Sequence, residues 1–416
     1  MTIQDDAIGS TPELLLAATA EQFARLGYEE AHLASIAEDA GLTTGAFYRH
    51  FASKQIAFDL LYNTMVDDMT AALARATDLR TACLAWLDVS EQHVGAVRAS
   101  DDLVLIAPEV RDRRKWTTDV WAAMLTVHLP DQPSRARAQA LAEILTMSLD
   151  FLAFTRRMGW SRHTAEELAD ALVELVVGGL YRGVSVDGEG RRLDEPPTPP
   201  SPPVTVPSRV EWTVAPGRMD PRSPRARAQR DAILDAAAEV FARSGFSGAS
   251  IGQIAGEASI SAATAYRYFV DKRDVFVCLL ARAEQSLLAA SLFPMGADGR
   301  LEIRGPARSF LAMRNAHRAV YTIWRELLDR DEELREAWIA IHADFHAAIT
   351  KVVRKGQQAG LIPAGLEPSA TAEVVDAFFE GLGRTRGDLG WIDQVSDDEV
   401  VALLSQLVGR EPIGGL

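Results

Sequence analysis

The sequence predicts an all-α protein made of two similar halves. Three observations carry that reading. Residues 14–58 recur without a gap as residues 232–276, at a constant offset (272 − 54 = 218). Apolar residues return at helical spacing along both halves, and strand-like alternation is confined to one short stretch. A proline cluster at residues 196–203 cuts the 416-residue chain near its middle.

The repeat is dense. Phe23, Arg25, Gly27, Ile36, Ala37, Tyr48, Arg49, Phe51 and Lys54 return as Phe241, Arg243, Gly245, Ile254, Ala255, Tyr266, Arg267, Phe269 and Lys272. A period this long means duplicated domains, not a solenoid. The chain divides into a first repeat at 10–62, a helical body at 63–186, a proline-rich linker at 187–224, a second repeat at 225–282 and a second body at 283–412.

Within the bodies, residues 137–158, 164–182, 332–358, 369–385 and 396–407 read as long amphipathic helices, which suit bundle packing. We expect the two pairs of terminal helices to meet in one intramolecular four-helix interface. In the linker, Val204, Val206, Val210, Trp212 and Val214 alternate with polar residues or prolines and read as an extended strip docked on a body.

Bulk properties narrow the function. Charged residues make up 24% and apolar residues 48%, as in ordinary globular proteins. Residues 1–10 lack a basic and apolar leader, and no apolar stretch reaches the ~18 residues of a membrane span, so a cytoplasmic protein with no membrane partner is expected. Two cysteines, Cys83 and Cys278, make neither a disulfide framework nor a zinc finger and read as inert thiols.

Each repeat has the form of a helix-turn-helix. A supporting helix at 35–40 precedes Gly41, where a tight turn needs a left-handed residue. Thr43 then caps a short helix at 44–51 whose N-terminal residues, Thr44, Gly45 and Ala46, are small. Small side chains let that helix end approach base edges. Phe47 and Phe51 read as core, and Lys54 as a charge for phosphate.

The signature I-A-x-x-A-G-L-T-x-G-x-x-Y-x-H-F-x-x-K, from Ile36 to Lys54, resembles the TetR family of transcriptional regulators. The resemblance covers the N-terminal third of each half. It implies two TetR-like halves, each a helix-turn-helix domain followed by a helical-bundle ligand and dimerisation domain. It also implies that Thr44, Gly45, Tyr48 and Arg49 face the major groove of double-stranded DNA, while Thr43, His50 and Lys54 hold phosphates. In the second copy the equivalents are Ala262, Ala263, Tyr266 and Arg267, with Ser261, Tyr268 and Lys272 at phosphates.

The second copy departs from the pattern. Ser259 replaces the turn glycine, a left-handed site that costs about 1 kcal/mol for a residue with a Cβ. Ala263 replaces the glycine of the recognition helix, and Tyr268 replaces His50, both able to donate one hydrogen bond. In the first copy His32 stands where Ser250 caps the supporting helix, and histidine is a poor cap.

Charge separates the two readers. The chain carries a net −15, but residues 222–282 hold nine Lys/Arg against six Asp/Glu, whereas residues 10–62 hold three against seven. We therefore expect the second reader to anchor phosphates, helped by Lys272, Arg273 and an arginine arm with Arg222, Arg225, Arg227 and Arg230.

An effector pocket, implied by the resemblance, falls among Trp86, Trp121, Trp324, Trp338, His342 and Phe345, whose apolar character suits a hydrophobic small molecule. The same aromatic stripes also read as plain core. His342 and His346 stand four residues apart without a metalloprotease glutamate, so no metal is assigned. No nucleophile elbow, phosphate loop or dinucleotide fingerprint occurs, so neither catalytic residues nor a cofactor are expected.

The reading is a one-component repressor that works as a monomeric pseudo-dimer on an asymmetric DNA operator. Two alternatives fit the same features: a homodimer with four readers, or a sensor or interaction module whose acidic first reader does not touch DNA.

Overall fold

Caps at the helix starts and apolar residues at three- and four-residue spacing account for the architecture of the computed structural model. It describes residues 10–103, 108–128, 135–178, 223–290, 304–328, 330–360, 362–385 and 396–408. Every regular element among the described residues is a helix. The strip expected at Val204–Val214 lies outside them.

The first half contributes α1 (Thr11–Glu30), α2 (Leu33–Asp39), α3 (Thr44–His50), α4 (Lys54–Arg75), α5 (Leu79–Gln92), α6 (Val94–Leu103), α7 (Pro108–His128), α8 (Arg135–Arg157) and α9 (Ala165–Gly178). The second contributes α10 (Pro224–Gly248), α11 (Ile251–Glu257), α12 (Ala262–Tyr268), α13 (Lys272–Ala290), α14 (Arg304–Ala316), α15 (Arg318–Leu327), α16 (Glu332–Gln358), α17 (Pro368–Thr385) and α18 (Asp397–Val408). Helix α16 begins and ends where its sequence pattern does. Asp331 caps it, accepting from the Leu334 amide at 3.2 Å.

The contacts form two compact units that do not follow the linear halves. Helices α1–α9 and α17 make one unit; α10–α16 and α18 make the other. The sequence reading placed residues 283–412 in a single second body. Instead α17 packs against α8 and α9. All residues of α17 from Ala370 to Gly381 are buried, the polar Thr371, Glu373, Asp376 and Glu380 included.

In the first unit α8 is the central helix, buried continuously from Gln139 to Ala153. Its window Ala138–Arg157 is long and apolar enough to cross a membrane, yet 94% of it is buried inside the protein. Burial in a bundle explains the composition. Close packing against α17 is set by Gly381, where a Cβ would come within 2.8 Å of the Ser148 hydroxyl and 3.0 Å of its amide nitrogen. Helix α6 lies along α1 just as closely: a Cβ on Gly95 would meet the Ala20 carbonyl. Arg98 fixes that crossing by donating to the Ala24 carbonyl at 3.0 Å.

The duplication extends into these bodies, which the sequence reading did not detect. Ala142-Glu143-Ile144-Leu145 on α8 returns as Ala372-Glu373-Val374-Val375 on α17, and Asp150 and Leu152 return as Glu380 and Leu382 (373 − 143 = 230). The offset differs from that of the readers, so length changes between them hide the repeat.

In the second unit α10 packs on α11, α13 and α15, and α14 packs on α13 and α18. Trp324 donates to the Leu334 carbonyl at 2.9 Å and meets Trp338 edge-on, with ring centres 4.9 Å apart. The α5–α9 and α14–α18 packings carry matching exposed ion pairs, Arg80–Asp170 at 2.5 Å and Arg308–Asp398 at 2.7 Å.

Candidate nucleic-acid interface

Both readers are built on the same aromatic triad. Phe23, Tyr28 and Phe58 in the first, and Phe241, Phe246 and Phe276 in the second, meet at ring-centre distances of 5.5–6.4 Å and 5.9–6.0 Å. Mixed tilted, stacked and edge-on rings are the favourable geometries for such clusters. On this core sit α2 and α3, or α11 and α12, joined by the tight turn. Gly41 takes φ +68° there, and Ser259 takes φ +54° in the second copy, so the serine does adopt the left-handed conformation expected of it.

Caps set the start of each recognition helix. The Thr43 hydroxyl oxygen accepts from the Ala46 amide at 3.2 Å, and that of Ser261 from the Thr264 amide at 3.1 Å. Ser250 caps α11, whereas His32 makes no side-chain cap on α2. Arg25 pairs with Asp39 at 3.7 Å, and Arg243 pairs with Glu257 at the equivalent place. These pairs tie the long first helix to the supporting helix. Opposite charges recurring at 25/243 and 39/257 were the available sequence signal, and it was missed.

The face left outward is the one a groove would meet. Gly45, Tyr48, Arg49 and His50 are exposed on α3, with Thr44 half-buried; Ala262, Ala263, Tyr266 and Arg267 are exposed on α12. Tyr48 is 56% exposed and Tyr266 47%, although both helices have apolar faces that could have taken a ring. A Cβ on Gly45 would meet nothing nearer than the Thr43 hydroxyl at 3.8 Å, and its φ is not positive. No internal contact requires that glycine, so the room it leaves lies outside the protein.

Several expected phosphate contacts are placed differently. Tyr268 is 6% exposed, in contrast to the exposed His50; its ring joins the reader core, where an aromatic side chain is more stable than at the surface. Lys54 and Lys272 turn inward onto backbone carbonyls. The arginine arm is helical from Pro224, with Ser223 as its cap; Arg225 and Arg227 are exposed on the first turns of α10, and Arg222 lies outside the described residues.

The positive balance of the second reader is largely used inside the protein. Arg273 donates to Asp331 at 2.9 Å and to Glu333 at 2.7 Å, joining the start of α13 to the start of α16. Arg282 pairs with Asp235 at 2.8 Å, and Arg230 lies over the Phe269 ring at 5.6 Å. The Arg273 guanidinium holds the Asp331 carboxyl below the usual carboxylate range.

The aromatic residues named for an effector pocket are core. Trp86, Trp121, Trp324 and Trp338 are buried, and His342 and Phe345 are half-buried. Trp86 and Trp121 lie 6.0 Å apart, and Trp86 donates to the buried Asp150 at 3.1 Å. In the second unit Trp338 lies 4.6 Å from the His342 ring. Trp121 and Trp338 each bury an indole N–H that has no hydrogen-bond partner.

A braced supporting helix, a tight turn and a short helix with a small, exposed N-terminal end define a helix-turn-helix DNA-binding domain. This chain holds two of them. The sequence model described as "Bacterial regulatory proteins, tetR family" matches residues 15–56 and 233–278, the two readers. The chain is a tandem TetR-like regulator, and DNA binding is its class of activity. Among solved structures, the fatty acid degradation regulator FadR from Bacillus halodurans is similar, with 17% identity over 42% of this chain and 100% of that one, at a TM-score of 0.36. A member of the TetR transcriptional regulator family from Streptomyces coelicolor A3 is similar at 18% identity, over 43% of this chain and 90% of that one, with a TM-score of 0.34.

Proposed function

We propose that this chain is a cytoplasmic repressor whose two readers bind one asymmetric operator as an intramolecular pair. The observation that carries this reading is the paired exposure of Tyr48-Arg49 and Tyr266-Arg267 on two equivalent recognition helices, beside positions where internal packing asks for nothing. Tyrosine and arginine reach both phosphates and base edges, and arginine reads guanine with two hydrogen bonds. Thr43 accepts the Ala46 amide through its oxygen and keeps the hydroxyl hydrogen for a phosphate, while the Ser261 hydroxyl accepts the Thr264 amide and also meets the Thr264 hydroxyl at 2.9 Å.

The two helices present different groups, Thr44-Gly45 against Ala262-Ala263, so two dissimilar half-sites about one helical turn apart are preferred over a palindrome. The packing of α17 on α8 supports action within one chain, because it joins a helix of the second half of the sequence to one of the first. In this reading an apolar small molecule entering a body near the tryptophan clusters releases the DNA. The test is selection from random-sequence duplexes with purified full-length protein, followed by footprinting of the winner. Unequal half-sites, both protected, support the proposal. Enrichment of a perfect inverted repeat, or no enrichment, contradicts it.

A further inference from the structure

We propose that Arg273 is a positioning residue for the second reader: it straps the start of α13 to the start of α16, so that the pose of α12 depends on an ion pair that the first reader does not have. This rests on the reading of α3 and α12 as DNA-binding. Arg273 is the second residue of α13. Asp331 and Glu333 stand at the start of α16, the helix that carries Trp338 into the core. The guanidinium spans the two helices. Its Nε and Nη2 donate to the two Asp331 oxygens at 2.5 and 2.9 Å, and Nη2 donates to Glu333 at 2.7 Å. A planar fork on a carboxylate fixes direction as well as distance. All three side chains are half-buried, so salt screens them less than a surface pair. Asp331 is itself held, because it caps α16 by accepting from the Leu334 amide.

The path from Arg273 to the recognition helix is short and closed. Only residues 269–271 separate α12 from α13. Phe269 is buried, and Arg230 of α10 lies over its ring. Asp271 accepts from the Asp274 amide at 2.8 Å, and the Asp274 carboxyl accepts from the Val270 amide at 2.9 Å. Reciprocal bonds of this kind lock a helix start, as in a capping box. Asp274 is buried. The first turn of α13 and the end of α12 therefore move together, and Arg273 sits inside that turn.

The first reader differs at each of these places. Ser53, Gln55 and Ile56 stand where the second reader has Asp271, Arg273 and Asp274. Gln55 accepts from the Tyr28 hydroxyl at 2.9 Å and donates to Asp59 at 3.3 Å, and both partners belong to the reader itself. Ser53 accepts from the Ile56 amide at 3.3 Å, but Ile56 has no side-chain acceptor with which to return the bond. The repeat thus keeps the recognition helix and changes what holds it.

Two measurements on the full chain test this. The first uses Arg273→Gln, Asp331→Asn and the double variant, with unfolding curves to fix the folded fraction. Glutamine is the residue type of the first reader, and asparagine keeps the cap on α16. Each variant is taken through selection from random duplexes and a salt titration; the half-site read by α12 is assigned by the Arg267→Ala variant. Positioning predicts that either single variant loses about tenfold in preference at that half-site. The double variant loses no more, the other half-site keeps its preference, and the salt slope is unchanged. A phosphate contact by Arg273 predicts a slope smaller by about 0.9 for Arg273→Gln. It also predicts tighter binding by Asp331→Asn, which frees the guanidinium. That pattern overturns the proposal. A lower melting temperature with both preferences intact overturns it too, because the pair would then be structural only. A wild-type chain with no salt-dependent duplex binding sinks the DNA-binding reading itself, and this proposal with it.

The second measurement needs no DNA. Hydrogen exchange of the free protein should show the Val270 and Asp274 amides exchanging faster in Arg273→Gln than in wild type, with Ala52 and Ile56 of the first reader unchanged. Unchanged exchange at Val270 and Asp274 overturns the strap, even where DNA binding is intact.

Discussion

Thr155 on α8 donates a hydrogen bond to Glu373 on α17 at 3.2 Å, and both side chains are buried. One residue belongs to the first half of the sequence and the other to the second. Glu143 and Glu373 are equivalent by the repeated Ala-Glu motif, so the two helices that pack here are related copies. Halves joined in this way are not independent beads on a linker.

Substituting Gly381 should loosen that crossing. Gly381→Val places branched carbon where the nearest atoms of Ser148 and Ile144 lie 2.8–3.1 Å from a Cβ, two of them backbone. Overpacking of this kind costs about 1–3 kcal/mol. Thermal unfolding should show a melting temperature lowered by several degrees; an unchanged curve would mean that α8 and α17 do not pack this tightly in solution.

The Arg273–Asp331 pair should give the second unit a pH-dependent stability. Arg273 holds the Asp331 carboxyl below its ordinary value, so the folded-state pKa is depressed. Such a group stabilises above the unfolded carboxylate pKa of about 3.9 and loses that contribution as pH falls through the lower folded value. Asp331→Asn keeps the cap on α16, because asparagine caps as well as aspartate. The wild-type advantage over this variant in urea unfolding should be present at pH 7 and shrink progressively as pH falls below about 3.9. An advantage independent of pH would assign it to the cap or to packing.

Gly45→Leu should separate stability from DNA binding. Leucine favours helix over glycine by up to about 1 kcal/mol, and a Cβ at this position meets no internal atom nearer than 3.8 Å. The variant should melt no lower than wild type, yet lose at least tenfold in affinity for the selected duplex. Retained affinity would place the N-terminal end of α3 away from DNA.

Arg49→Ala and Arg267→Ala should each cost ~1–3 kcal/mol of binding and relax sequence preference in different half-sites. Selection repeated with each variant reads this directly. Relaxation at the same positions by both variants would contradict one reader per half-site.

Both thiols should be unreactive in the native protein. Cys83 and Cys278 are buried, and desolvation pushes both thiols up, so little thiolate forms near pH 7. Ellman's reagent should titrate them in urea and barely at all without it. Fast reaction of either under native conditions would show that its unit opens readily.

Much of this was legible in the chain. The readers follow from local chemistry: a turn position needing positive φ, a threonine or serine cap and a spacing that buries Phe47 and Phe51. Helix α16 followed from its apolar stripe. What escaped was non-local. Counting charge made Lys272 and Arg273 phosphate anchors, but a formal charge does not tell whether carbonyls or carboxylates of the same protein already hold it. Tyr268 followed the histidine of the motif in position, yet its ring gains more from the core than from the surface. The placement of α17 in the first unit depends on which neighbours cover a helix that buries Glu373, Asp376 and Glu380 along with its apolar residues, and periodicity carries no information about neighbours.

The central claim is that one polypeptide supplies both readers to one operator. Native mass spectrometry of the protein with its selected duplex measures this directly. The account predicts a complex of one 45.3 kDa chain per duplex, with both half-sites protected in the matching footprint. Two chains per duplex, or protection of a single half-site by one chain, would contradict it.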